Sequence, residues 1–224
     1  MKLVEYPDRE MMMIDLANVL AGELRSCLSR HDHASFAVPG GTTPGPIFDT
    51  LSAVRLDWDR VHVLLTDERW VPEDHERSNT RLLRERLFTG EAARAVHVPL
   101  YSGHEAPEDG LDALSDALAP ELPLSVLLLG MGDDMHTASL FPGADRLADA
   151  MAPHAPPLMA MRAPGAPEPR ITLTRPVLSG AMSTHIVITG RAKRGALDRA
   201  REIGDPLRAP VCAVLADATV HWSE

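Results

Sequence analysis

Short apolar runs alternate with helical segments along most of this chain, and several of the runs end in polar, glycine-containing loops. The clearest run is LSVLLLG at 124–130, and similar runs lie at 34–38, 60–68 and 183–190. Mostly apolar runs of this length, placed between helices, are typical of strands that are buried on both faces. The alternation therefore predicts an α/β fold, with a largely parallel sheet covered by helices on both sides.

Local signals place the other elements. Asp8 and Ser78 are predicted to cap helices over 8–30 and 78–87. Further helices are predicted at 108–118 and 191–202, strands at 96–100, 157–163, 170–174 and 219–222, and either type at 211–216. The Pro- and Ala-rich stretch 151–169 reads as a crossover, because strands continue on both sides of it. A single domain over 1–224 is predicted.

Composition excludes some classes of function. The net charge of −10 argues against general binding to nucleic acid or to anionic membranes, which requires a basic surface. No apolar run approaches the length of a membrane span, and the start MKLVEYPDRE is not a signal peptide. Cys27 and Cys212 lie in apolar runs without a metal-type pairing, which suggests free thiols in a reducing compartment. A cytoplasmic location is expected.

Four polar loops follow predicted strands, where open α/β sheets bind their ligands. The first, GGTTPG, contains Gly40, Gly41, Thr42 and Thr43 just before a helix. Free amides and the helix dipole at such a position favour an anion, typically phosphate. An ordinary tight turn is the alternative, since the spacing is neither GK[ST] nor GxGxxG.

The loops TDERW and GRAKR supply charge. Asp67 and Glu68 could orient a hydroxyl or a catalytic histidine, and Arg69 could bind a phosphate through two hydrogen bonds. Lys193 lies near the start of a helix, within reach of an anion held there. A solvated ion pair and a solvent-facing lysine are the alternatives.

The loop GMGDDMHTAS carries the most chemistry. Asp134 and His136 form an Asp-x-His arrangement that can orient an imidazole as a general base. Ser139 is not in the GxSxG context of a nucleophile elbow. No HxH, HExxH or His/Cys cluster is present and the other histidines are scattered, so no metal site is predicted.

Together the loops resemble the 6-phosphogluconolactonase family. The matching stretches are GGTTP, TDERWVP followed by SN, LGMGDDMHTASLFPG, RITLT and GRAK, in that order over 39–193. The resemblance implies a three-layer αβα sandwich with a mainly parallel, Rossmann-like sheet, shared with glucosamine-6-phosphate deaminases and ribose-5-phosphate isomerases. It also implies hydrolysis of 6-phospho-D-glucono-1,5-lactone in the oxidative pentose phosphate pathway, without metal or organic cofactor.

The resemblance implies roles for particular residues. His136 would be the general base, oriented by Asp134 or Asp67, with Asp67 and Glu68 as alternative bases. Backbone amides or a cation would stabilise the oxyanion. The candidates for holding the 6-phosphate are Gly40, Gly41, Thr42, Thr43, Arg69, Arg170 and Lys193. The expected partner is the phosphosugar lactone, and the expected state is a monomer or weak homodimer.

One departure and two alternatives accompany the resemblance. The family commonly has Asp-Gly-His where this chain has Asp134-Met135-His136, and methionine is strained wherever the backbone requires a positive φ.

A glucosamine-6-phosphate deaminase would resemble DGHIAFNEPG and DEY where this chain has HTASLFPG and DER. A sugar-phosphate-sensing regulator is disfavoured, because no helix-turn-helix or basic extension precedes residue 34.

Overall fold

The computed structural model describes residues 1–224 and contains two β-sheets. The strands are β1 Lys2–Glu5, β2 Ala34–Val38, β3 Val61–Leu65, β4 Asp67–Arg69, β5 Val96–Val98, β6 Val126–Gly130, β7 Leu158–Met161, β8 Arg170–Leu173, β9 Thr184–Thr189 and β10 Thr219–Ser223. The helices are α1 Arg9–Leu28, α2 Gly45–Ser52, α3 Asn79–Arg86, α4 Leu111–Leu118, α5 Leu147–Ala150, α6 Arg175–Ser179, α7 Gly190–Ile203 and α8 Cys212–Leu215.

The larger sheet has seven strands in the order β1-β10-β9-β6-β2-β3-β5, and every neighbouring pair is parallel. All five residues of β2 are buried, as are four of the five in β6, so both faces of the sheet are covered. Strands of this kind are apolar at every position because neither face meets water. The predicted three-layer α/β architecture is confirmed. None of the helices is long and apolar enough to span a bilayer.

The order of the strands creates a crevice between β2 and β6. From β2 the chain continues to β3 on one side, whereas the next strand of the large sheet after β6 is β9, on the other side. Such a reversal leaves the loops beyond the carboxyl ends of the two central strands diverging, and ligands bind there in open α/β sheets. The loop GGTTPG follows β2, and the loop GMGDDMHTAS follows β6.

The second sheet corrects the interpretation of three strands. The run predicted as one strand over 60–68 is divided at Thr66, and the strands predicted at 157–163 and 170–174 lie outside the large sheet. They form β7 and β8, which are antiparallel to each other, and β4 pairs antiparallel with β8. Thr66 joins the two sheets, because its amide donates to Val38 and its carbonyl accepts from Leu173, each at 2.9 Å.

Local signals at the ends of helices are confirmed. The Asp8 carboxylate accepts from the Met11 amide at 2.8 Å at the start of α1, and the Ser78 hydroxyl oxygen accepts from the Arg81 amide at the start of α3. The undecided segment 211–216 contains the short helix α8. The first strand, β1, was not predicted; it adds a parallel edge beside β10.

A buried chain of hydrogen bonds links helix α1 to strands β9 and β10. His221 Nε2 lies 3.0 Å from His185 Nδ1, and His185 Nε2 lies 2.9 Å from a Glu23 oxygen. At the other end, His221 Nδ1 lies 2.9 Å from the Tyr6 hydroxyl, which donates to Asp15. Burial, with a smaller contribution from the neighbouring His185, lowers the pKa of His221 to about 4.

The lowered pKa of His221 predicts that the folded protein is less stable in mild acid. Unfolded His221 takes up a proton as the pH falls through about 6.5, whereas the folded protein keeps it neutral until about pH 4. The nearby charges of Asp15, Glu23 and Lys2 act on the same ring, but burial dominates. We expect the free energy of unfolding attributable to this group to fall by about 2 kcal/mol between pH 6.5 and pH 5.

Urea denaturation at a series of pH values measures this effect. The variant His221→Gln should show a shallower dependence on pH over that window, and the exposed His154→Gln should match the wild-type chain. Identical slopes for wild type and His221→Gln would contradict the assignment.

Candidate active site

A cavity of about 210 Å³ opens at the carboxyl ends of β2, β6 and β9. Its volume suits a small metabolite rather than a polymer. Nine residues singled out from the sequence line it: Gly40, Gly41, Thr42, Thr43, Asp67, Arg69, His136, Arg170 and Lys193. Asp134 lies behind His136, and Glu68 is not among the lining residues.

The GGTTPG loop presents a row of free donors to the cavity. The backbone N–H groups of Gly40, Gly41, Thr42 and Thr43 donate to no carbonyl or side chain of the protein. Helix α2 begins directly after this loop, and the first turn of α7 borders the cavity through Thr189 and Lys193. Amides in a turn and the N-terminal ends of helices both favour an anion.

The two glycines of this loop are needed for different reasons. A Cβ on Gly40 would lie 1.9 Å from the Asn79 side-chain oxygen, whereas Gly41 has a φ of +86° with open space around it. Asn79 in turn donates to the Asp67 carbonyl at 3.0 Å. The signal for Asn79 in the sequence is the pair SN in the family resemblance. In the structure, the Asn79 side chain packs directly against Gly40 of the GGTTPG loop.

Arg69 and Arg170 lie side by side at the cavity. They are directly paired residues of the antiparallel strands β4 and β8, so their side chains share one face of the small sheet. Like charges at such positions repel, and the Nε groups of both side chains are buried with no hydrogen-bond partner. Burial, together with the neighbouring Arg69, lowers the pKa of Arg170, and Asp67 partly opposes this shift. Two adjacent guanidinium groups with unused donors are suited to a phosphate.

Lys193 supplies the third positive charge. Its Nζ donates to the Met131 carbonyl at 2.5 Å and lies 3.7 Å from an Asp133 oxygen. These contacts hold the ammonium beside the loop that carries His136. The local excess of positive charge contrasts with the net charge of −10 for the whole chain. An anionic substrate is therefore attracted to this cavity rather than to the surface as a whole.

Asp67 contacts other residues than His136. Its Oδ2 accepts from the buried Ser139 hydroxyl at 2.5 Å and lies 3.6 Å from an Arg170 nitrogen. Ser139 also accepts from Arg170 at 3.4 Å. The carboxylate thus fixes the Arg170 guanidinium at the cavity and binds the buried Ser139 hydroxyl. Of the two carboxylates proposed to orient His136, Asp67 is not the one in contact with it.

Glu68 is directed away from the cavity, which does not support its candidacy as a base. The carboxylate is fully buried and accepts from the amides of Arg69, Asn79 and Thr80, at 2.7–2.8 Å. The hydroxyls of Ser78 and Thr80 donate to it as well. It therefore serves the start of helix α3, where a negative charge also complements the helix dipole. Successive side chains of a strand face opposite sides, so Asp67 and Arg69 line the cavity and Glu68 does not.

His136 and Asp134 form a close pair. Their Nδ1 and Oδ1 atoms lie 2.5 Å apart, and the His136 amide also donates to Oδ1 at 3.2 Å. Burial would raise the pKa of the Asp134 carboxyl, but the facing imidazole and these hydrogen bonds outweigh burial and lower it. One face of the ring stacks on Phe141, with centroids 4.1 Å apart. The carboxylate and the phenyl ring fix the imidazole with Nε2 free to accept a proton.

The backbone of this loop explains both a glycine and a departure from the family pattern. A Cβ on Gly132 would lie 2.1 Å from His136 Nδ1 and 2.4 Å from Asp134 Oδ1, so only glycine fits beneath the pair. Met135 has a φ of +69°, the conformation in which glycine is favoured. Its carbonyl accepts from the Val211 amide at 3.0 Å, and its side chain packs on the core. These contacts compensate for a strain of about 1–2 kcal/mol.

Gly132→Ala is expected to displace the His136 ring while the protein stays folded, because the colliding atoms belong to side chains. We expect kcat for the reaction proposed below to fall by about 10–100-fold, the effect of a small misplacement of a catalytic group. Binding of an anionic product should change little. Steady-state kinetics measures both quantities, with the exposed helical variant Gly22→Ala as the control. An unchanged kcat in Gly132→Ala would show that the position of the pair is unimportant.

Comparisons with known proteins agree with this geometry. The family model for glucosamine-6-phosphate isomerases/6-phosphogluconolactonase matches residues 7–222. The 6-phosphogluconolactonase of Pseudomonas aeruginosa is 44% identical over 92% of this chain and 88% of its own length. That of Rhizobium meliloti is 40% identical over 93% of this chain and 92% of its own length. The crystal structure of a 6-phosphogluconolactonase from Shewanella baltica superposes with a TM-score of 0.96 at 32% identity, covering 100% of this chain and 97% of the other.

The match covers nearly the whole chain and includes every loop that lines the cavity. A family model that matches so much of the chain, with relatives of this identity, establishes membership. This chain belongs to the glucosamine-6-phosphate isomerase/6-phosphogluconolactonase family.

Proposed function

We propose that this protein hydrolyses 6-phospho-D-glucono-1,5-lactone to 6-phospho-D-gluconate, a step of the oxidative pentose phosphate pathway. The observation that carries the proposal is the pairing of His136 with Asp134 in the same cavity as three positive side chains and a row of free amides. A phosphorylated lactone needs both parts: an anion site that holds one end, and a base that delivers water to the other. Relatives that share 40–44% identity carry the name of this activity.

The reaction requires a proton to move twice. Asp134 accepts a hydrogen bond from His136 Nδ1, so Nε2 takes a proton from water as the water oxygen attacks C1 of the lactone. The carbonyl oxygen becomes a tetrahedral oxyanion, which a backbone amide or a nearby cation stabilises by about 3 kcal/mol for one donor. The bond from C1 to the ring oxygen then breaks, and the imidazolium returns its proton to that oxygen.

The phosphate fixes the ring relative to His136. Its oxygens are proposed to accept from the GGTTPG amides, Lys193, Arg69 and Arg170. A small polar ring makes few contacts of its own, so anchoring the charged end converts weak binding into a defined orientation. Asp67 lies beside Arg170 and accepts a hydrogen bond from the buried Ser139, which keeps the guanidinium in place at the cavity.

Parallel assays with two substrates test the function. Lactone consumption is followed after generating 6-phosphogluconolactone in situ, and ammonia release is followed with glucosamine 6-phosphate. We expect lactone hydrolysis well above the spontaneous rate and no release of ammonia. Ammonia release without lactonase activity would favour the deaminase, and tight binding of 6-phosphogluconate without any turnover would favour a sensing domain.

Domain organisation, oligomeric state and cellular compartment are proposed as well. We propose that residues 1–224 form a single domain, which is supported by one continuous cluster of 59 buried apolar residues. We also propose that the protein is a monomer or weak homodimer. Cys27 and Cys212 are both free thiols, which suits a reducing cytoplasm. The net negative charge supports a small-molecule substrate in preference to nucleic acid or an anionic membrane.

A further inference from the structure

Three side chains with metal-ligating atoms meet at the edge of the large sheet opposite the cavity. His33 directly precedes β2, His62 is the second residue of β3, and Glu121 lies shortly before β6. Because these strands are parallel, their amino ends lie at one edge, and the cavity lies at the other. The ligating atoms of the three residues all lie within 4.8 Å of one another.

The Glu121 carboxylate is the buried centre of this cluster. Its side chain is only 6% exposed, and Oε1 lies 2.8 Å from His62 Nδ1. Oε2 lies 3.4 Å from His33 Nε2 but has no hydrogen-bond partner. A buried carboxylate oxygen without a donor is costly. No lysine or arginine forms an ion pair with Glu121, so its charge is met by the two imidazoles alone.

We propose that His33, His62 and Glu121 bind one Zn²⁺ ion, with water completing a tetrahedral shell. Zinc takes histidine nitrogen and carboxylate oxygen at about 2.0–2.2 Å, which places neighbouring ligand atoms about 3.4 Å apart. The His33–Glu121 separation already has this value. The rings of His33 and His62 stack with their centroids 4.4 Å apart, so one ring must turn out of the stack before both nitrogens can face one ion. His62 must also move away from Oε1, which now lies 2.8 Å from its Nδ1.

The backbone around the cluster is held in place independently of any metal. Arg60 donates to the carbonyls of Leu28, His31 and Asp32, which fixes the loop that leads into His33. The Ser35 hydroxyl donates to the Glu121 carbonyl at 2.8 Å. Because these hydrogen bonds already fix the segments that carry the ligands, less conformational entropy is lost when an ion binds. Such second-shell contacts increase the affinity for metal.

The proposed ion is separate from catalysis. It lies at the amino ends of the strands, away from His136, and would clamp β2, β3 and the segment before β6 together. A ligand that binds only the folded state raises stability according to its concentration relative to Kd. We therefore expect Zn²⁺ to raise Tm without changing kcat for the lactone.

Calorimetric titration of chelator-treated protein with Zn²⁺ tests the site directly. We expect one equivalent to bind to the wild-type chain. His33→Ala, His62→Ala and Glu121→Gln should each weaken that binding by at least about tenfold, and the exposed His154→Ala should not. Co²⁺ provides a readout that needs no variant, because a four-coordinate site gives intense visible absorption bands.

The outcomes are decisive in either direction. One equivalent of Zn²⁺ that is lost in His33→Ala and Glu121→Gln, with four-coordinate Co²⁺ bands in the wild type, supports the site. Equal Zn²⁺ affinity in the wild type and those variants places the metal elsewhere and overturns the proposal. Absence of Zn²⁺ binding and of the Co²⁺ bands also overturns it.

Discussion

His136→Asn is expected to lower kcat for 6-phosphogluconolactone by about 10²–10⁴-fold, the usual contribution of a positioned general base. Asparagine retains polar bulk beside Asp134 but cannot take the proton from water. The cavity and its positive side chains remain, so Kd for 6-phosphogluconate should change little. The pH profile of kcat/KM should contain an acidic limb in the wild type, as expected for a general base, and this limb should be absent from the variant.

Spontaneous opening of the lactone must be subtracted in this experiment, because it would conceal an inactive enzyme. Asp134→Asn is the informative companion variant, since it keeps the hydrogen-bonding shape at Nδ1 while removing the charge. A folded His136→Asn protein with near-normal kcat would contradict the assignment, and base duty would pass to Asp67. Glu68 is not available for it, since its carboxylate is fully buried and directed away from the cavity.

Removing the phosphate from the substrate is the second change with a large expected effect. We expect kcat/KM for glucono-1,5-lactone to be lower by about 10³-fold than for the 6-phosphorylated lactone, because two or more charge-assisted hydrogen bonds, each worth about 1.5–3 kcal/mol, are lost. Lys193→Ala should lower kcat/KM for the phosphorylated lactone by about 10–100-fold, mainly through KM. It should leave the value for the unphosphorylated lactone unchanged.

The comparison of two substrates in two proteins separates phosphate binding from general damage to the site. Lys193 also contacts the His136 loop at Met131, so its removal could disturb that loop. A disturbance of the loop would slow hydrolysis of both lactones equally, whereas loss of phosphate binding slows only that of the phosphorylated one. Inorganic phosphate and 6-phosphogluconate should compete with the phosphorylated substrate. Equal kcat/KM for both lactones in the wild type would refute a phosphate site in this cavity.

Much of the fold was predictable because its signals are local. β2, β6 and β9 are short, mostly apolar runs, and Asp8 and Ser78 cap helices by contacts within three residues. The second sheet was not predictable in the same way. Thr66 continues the apolar run of β3 without a turn signal, and the partner of β4 is a strand about a hundred residues later. Periodicity identifies strands, but it does not determine which strands pair.

The candidate site shows the same division. The loops that line the cavity could be recognised, since each follows a strand and contains glycine, hydroxyl or charge. The roles of adjacent residues could not be separated: Asp67 and Glu68 are neighbours in sequence, but the pleat of β4 sends one into the cavity and the other to α3. The histidines that appeared scattered include His33 and His62, which only the parallel sheet brings together.

A crystal structure of the complex with 6-phosphogluconate tests the central claim most directly, since it shows which end of the ligand meets which residues. We predict that the phosphate accepts from the GGTTPG amides and Lys193, beside the Arg69–Arg170 pair, and that the C1 carboxylate lies within hydrogen-bonding distance of His136 Nε2. The opposite orientation, with the phosphate at His136, would contradict the account, as would a product bound outside this cavity.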